Sequence, residues 1–182
     1  MGLIAYIIGY FIALFWVIVH AMFFDPEVYT FVSESPYSFW LVLGVMFFAG
    51  VSTLLGQSVI LFINRVRRGR FAISLITNGI FFIVQYVVWG VVISIVGRFL
   101  FQFDPAPGEI VRLVGLSTAP LVLGFLVLIP YMGAFIGKLL NAWVFLIQVV
   151  IVTGAFETGF LRAAIAVGAG WLLMLLMTNT IG

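Results

Sequence analysis

The chain has no cysteine and only one histidine, and Asp, Glu, Lys and Arg together make up 8% of its 182 residues. Without cysteine there is no disulfide, no thiolate metal site, no cysteine nucleophile and no palmitoylation site. The shortage of charge excludes more. A soluble domain carries roughly 25% charged residues, and a soluble fold of this size could not hide so much apolar surface. Hydrophobic residues make up 65% of the chain and its mean hydropathy is +1.33. The solvent this sequence calls for is a bilayer. At membrane depth each charge is expensive, so the few that remain carry information.

The sequence predicts an all-α, polytopic transmembrane bundle in one integral membrane domain, residues 1–182. Hydropathy divides it into six spans: helix A at 2–24, helix B at 37–64, helix C at 71–101, helix D at 110–129, helix E at 132–153 and helix F at 160–179. Each is long enough to cross a core of about 30 Å. The apolar runs are continuous rather than alternating, which argues against a β-barrel. Helix A lacks a positively charged leader and is long enough to span, so it reads as a retained helix rather than a cleaved signal. The longest polar stretch, Asp25 to Ser38, is too short for a core of its own and is expected at the membrane surface.

Orientation follows from the loops. The B–C loop carries Arg65, Arg67, Arg68 and Arg70, whereas the A–B segment carries Asp25, Glu27 and Glu34 and no base. By the positive-inside rule the B–C loop is cytoplasmic, and with six spans both termini are too. Lys138 agrees with this; Arg98, Arg112 and Arg162 fall toward the other side. The arginine cluster reads either as a topology anchor or as a binding surface for anionic lipid head groups or an acidic partner. A net charge of +2 with no extended basic face does not suggest nucleic-acid binding.

Chemistry-bearing patterns are scarce. No nucleophile elbow, phosphate loop, HExxH or paired carboxylates occur, so an enzyme is not expected, nor a resident cofactor or metal. His20 is a possible pigment or haem ligand, or simply an interfacial imidazole near Asp25. The embedded polar residues are Ser52, Thr53, Gln57, Thr77, Asn78, Gln85, Ser94, Asn141 and Gln148. They either bond across helices or line a hydrophilic path. Gly133 and Gly137 form a GxxxG pair, with further small-residue pairs on helices B and F, and these let helices approach closely or form a dimer seam. Pro120 lies mid-helix D. It should bend that helix and free a carbonyl that neighbouring helices, or Ser117 and Thr118, must satisfy.

One order of residues is more specific. Arg112 leads through Gly115 to Pro120, then come Pro130, Gly133, Trp143 and finally Arg162 followed by Ala163 and Ala164. This order resembles the Yip-domain family, membrane proteins named for interaction with Rab-type GTPases. The resemblance covers 37–179, with helices B to F as the family's five spans and helix A as an addition. It implies a short prokaryotic member in an inner or internal membrane. It also implies a non-enzymatic scaffold or accessory subunit that organises membrane proteins or lipids. The expected partners are membrane lipids, anionic ones among them, other integral membrane proteins and a second copy of the chain. Two other readings stay open: a small transporter or channel with the embedded amides lining its path, and a subunit of a pigment or redox complex.

Overall fold

The computed structural model describes all residues except 1, 36–37, 58–67, 102–105, 156 and 182. Its elements in order are α1 (Gly2–Met22), α2 (Pro26–Glu34), α3 (Ser38–Gln57), α4 (Arg68–Phe101), α5 (Pro107–Leu116), a 3-10 helix (Ala119–Leu128), α6 (Gly133–Ala155) and α7 (Phe160–Ile181). No strand occurs among the described residues. Among the described residues five segments are long and apolar enough to cross a membrane: Ile4–Met22, Ser38–Gly56, Gly79–Phe99, Gly108–Leu128 and Gly133–Ala155. The expected sixth span, helix F, is present as the helix α7, but its apolar stretch, Phe160–Leu173, is shorter than the other five and is not among the segments long enough to cross.

The A–B segment differs from the expected surface loop: it contains a helix. Asp25 ends one helix and starts the next. At the end of α1, Phe24 adopts a left-handed φ of 60° and the Asp25 N–H reaches back to the His20 carbonyl at 3.1 Å. This six-to-one closure usually places glycine where Phe24 stands. Asp25 Oδ1 then accepts from Glu27 N at 3.0 Å, capping α2. Pro26 sits at the first helical position, where its missing N–H does no harm. One face of α2 carries Val28 and Val32, both fully buried, so the segment is packed into the end of the bundle rather than laid across it.

The fourth span is broken. Pro120 offers no N–H to the Leu116 carbonyl, so α5 cannot continue in register. Ser117 Oγ donates to Val114 O at 2.6 Å and Thr118 Oγ1 to Gly115 O at 2.7 Å. The chain then runs as a ten-residue 3-10 helix, although such runs seldom exceed three or four residues. A neighbouring helix supports it: Ser52 Oγ donates to Val122 O at 2.7 Å and accepts from Phe125 N at 2.9 Å. Gly124 lets α3 come this close, since a Cβ there would lie 2.9 Å from the Thr53 backbone. Pro120, Leu121 and Gly124 are buried, and the most extensive packing in the bundle is between this segment and α3. The expected bend is therefore a change of helix type, enclosed by other helices.

Candidate functional site

Chain direction brings the ends of α1, α3, α4 and α6 into an alternating pattern, so that α2, the start of α5 and the end of α6 share one end of the bundle. Five of the six acids, Asp25, Glu27, Glu34, Glu109 and Glu157, gather there; the sixth, Asp104, lies outside the described residues. Lys138, exposed near the start of α6, is at the opposite end.

Arg112 organises the acidic end. Its Nη2 donates to Ser33 O at 3.1 Å, its Nη1 to Ser35 O at 2.9 Å and to Ser38 Oγ at 3.3 Å, and its Nε to Gly108 O at 3.4 Å. The carbonyls at a helix C-terminus lack intrahelical partners and carry partial negative charge, and the guanidinium supplies both donors and charge. Ser38 Oγ completes the cap: it lies 2.8 Å from Val32 O and 2.6 Å from Ser35 O, and its single proton serves one of the two at a time. Arg112 thus joins α5 to the end of α2.

Beside this junction is a cleft of about 280 Å³, near the lower end of the range for ligand pockets, about 300–1,000 Å³. Its apolar lining comes from Phe24, Leu113, Val150 and Ile151, and its polar lining from Tyr29, Thr30, Ser33 and Glu109. The hydroxyls are already engaged. Tyr29 donates to Ala21 O at 3.1 Å, Thr30 to Pro26 O at 3.0 Å and Ser33 to Thr30 O at 3.0 Å. Burial first, and the nearby Asp25 carboxylate second, push the Tyr29 phenol well above its ordinary value. Tyr29 therefore stays protonated and keeps that bond.

The residues singled out from the sequence are distributed as follows. Arg65 and Arg67 lie outside the described residues; Arg68 and Arg70 open α4. Gly115 packs against Val42 and Met46, and Gly133 against the Val127 carbonyl, whereas Gly137 makes only an ordinary contact with Val127. Pro130 is exposed in the turn before α6. Trp143 Nε1 donates to Met22 O at 3.1 Å, tying α6 to the end of α1. Arg162 is exposed on α7. His20 donates from Nδ1 to Trp16 O at 2.8 Å, because a carbonyl can only accept, and its Nε2 lies 4.0 Å from Asp25 Oδ2. No group of three or more metal-ligating side chains stands together among the described residues.

Two of the embedded amides have environments that can be described in full. Asn141 is exposed and donates to Gly137 O at 2.8 Å on its own helix. Gln148 is fully buried, and neither its Oε1 nor its Nε2 has a partner. The side chains of Gln57 and Asn78 lie outside those described. The cleft residues Tyr29, Thr30, Ser33 and Glu109 were not anticipated. The Asp25-Pro26-Glu27 run was the available signal, since a capping acid before proline and glutamate marks a helix start as well as a stop.

These features define a multi-pass helical membrane protein with an enclosed broken span and a cleft at its acidic end. Compared with protein-family models, curated proteins and solved structures, the chain matches none.

Proposed function

We propose that this protein works by contact rather than catalysis, as an integral membrane scaffold or accessory subunit that holds a lipid or another membrane protein. The observation that carries this reading is the cleft between α2, α5 and α6, a small, mostly apolar recess with one carboxylate and no nucleophile–base pair among its lining residues. A recess of that kind suits retention of part of an amphiphile. Two of the polar groups around it tie elements together: Tyr29 bonds the end of α1 and the Arg112 guanidinium bonds the end of α2 and Ser38.

The order from Arg112 to Arg162 supports kinship with Yip-domain proteins, and with it a short prokaryotic protein of six spans whose termini face the cytoplasm. Arg65, Arg67, Arg68 and Arg70 form its basic cytoplasmic surface, suited to anionic lipid or an acidic partner. Purification in mild detergent with mass spectrometry of what accompanies the protein tests the reading. A lipid or protein should be retained in fixed stoichiometry, and the Arg67→Ala, Arg68→Ala double variant should weaken retention of an anionic lipid or acidic partner. Recovery of the protein with nothing bound in fixed ratio would contradict it.

One observation favours a transporter instead. Gln148 is buried with both amide atoms unpartnered, and the neighbouring fourth span is discontinuous, a feature of transporter binding sites. Solute flux through proteoliposomes of purified protein, lost on Gln148→Leu, would establish that reading in place of the first.

A further inference from the structure

Resting on the contact reading, we propose that the cleft binds an ammonium group carried on an apolar chain, with Glu109 as its counter-ion. The side-chain hydroxyls lining the cleft belong to Tyr29, Thr30 and Ser33, and each donates its proton to a backbone carbonyl. A hydroxyl has one proton and two lone pairs, so what each still offers is acceptance. The remaining polar side chain in the lining, Glu109, offers only acceptors as a carboxylate. A cleft lined in this way suits a group rich in donors and positively charged. Among the lining side chains a phosphate or carboxylate would meet acceptors alone.

The adjacent cation does not reverse this. Arg112 touches the cleft residue Ser33, but through the Ser33 carbonyl, and its Nε, Nη1 and Nη2 all donate to backbone or to Ser38. Its charge is directed at the end of α2. Aromatic residues add to the selection: Phe24 and Tyr29 both line the cleft, and aromatic faces attract cations within about 6 Å of the ring. Leu113, Val150 and Ile151 supply an apolar wall for the first carbons of a chain. The volume, about 280 Å³, suits a head group with a short length of chain rather than a whole lipid.

Gly154 offers a variant aimed at the cleft. Gly154 lines it, and a Cβ built there meets no atom within 4 Å. Leucine at this helical position is a better helix former than glycine, so Gly154→Leu should fold and fill the recess.

The test is native mass spectrometry of the detergent-purified full chain titrated with decylammonium, decanol or decanoate, and separately with a two-chain phosphatidylethanolamine. Decylammonium should bind once per chain. Decanol and decanoate should bind at least tenfold more weakly, Glu109→Gln should weaken decylammonium at least tenfold, and Gly154→Leu should abolish its specific binding. Stronger binding of the phosphatidylethanolamine than of decylammonium identifies a membrane lipid as the source of the ammonium; the reverse order identifies a free amine. If decanoate or decanol binds as tightly, or Glu109→Gln changes nothing, the ammonium assignment is overturned. The contact reading still stands in that case if the purified protein retains a lipid or protein in fixed ratio. If wild type binds none of the probes and retains nothing, both fail.

Discussion

Arg112 donates from Nη1 to the carbonyl of Ser35 at 2.9 Å, across 77 positions of sequence. With the parallel bond from Nη2 to Ser33 O, it clamps the end of α2 to α5. Hydrogen bonds from a charged donor are worth about 1.5–3 kcal/mol each, and the planar fork serves two acceptors at once, which a lysine ammonium does poorly. Arg112→Lys is therefore expected to lower the thermal unfolding temperature in detergent, and Arg112→Ala to lower it further. Equal Tm values for wild type and Arg112→Lys would show that the fork geometry is unimportant.

Ser52 should matter as much to the broken span. Replacing it with alanine removes the hydroxyl that bonds both the Val122 carbonyl and the Phe125 N–H. Each hydrogen bond is worth about 0.5–1.5 kcal/mol. Ser52→Ala should destabilise the protein by at least that amount, while Thr53→Ala removes only a bond to Ala49 O within the same helix and should cost less. Comparison of the two unfolding midpoints checks the assignment.

Glycine variants separate close packing from mere composition. Gly124→Ala sets a methyl against the Thr53 backbone at 2.9 Å, where a shift of whole helices is required. At Gly9 a Cβ meets no atom within 4 Å, so Gly9→Ala should be neutral or slightly stabilising. A loss of folded yield for Gly124→Ala with none for Gly9→Ala is the expected result; equal yields would mean the helices are not in this contact.

Alkaline pH should expose the burial of Tyr29. Its folded-state pKa is raised above the ordinary 10.0, so in the range above about pH 10 the unfolded chain has lost a proton that the folded chain keeps. Stability then falls as pH rises. It is fully present below pH 10 and declines beyond it. Tyr29→Phe should flatten part of that decline in detergent unfolding measured from pH 9 to 11, and an unchanged slope would place Tyr29 in water.

Much of this fold was legible in the sequence because lipid leaves the chain few options. Continuous apolar runs gave six expected spans, five of which are found among the described residues, and Pro120 gave the break in the fourth. That the break becomes a 3-10 helix was not legible, since it depends on Ser52 and Gly124, which meet only after α3 folds against it. The helix at Pro26–Glu34 was missed for a different reason. Helix A reads as ending at residue 24 ahead of a polar stretch, and nothing local shows that Val28 and Val32 will be buried. The candidate site was least legible. Glu109, Gly154 and Tyr29 lie on three separate elements with no common motif, and the engaged state of each hydroxyl is a property of geometry alone.

Orientation has its own check in this cysteine-free chain. Gly69→Cys, beside the arginine cluster, should resist an impermeant maleimide added outside intact cells, and Glu27→Cys on α2 should react. The positive-inside rule motivates the pair, and the opposite labelling pattern would invert the protein.

The central claim is that the cleft at the acidic end holds a ligand, and the most direct measurement compares what wild type and Gly154→Leu retain after identical mild-detergent purification. Mass spectrometry of the intact particles should find one amphiphile per wild-type chain and none on Gly154→Leu, with both proteins unfolding at closely similar temperatures. The same retained mass on both proteins, or none on either, would contradict the account.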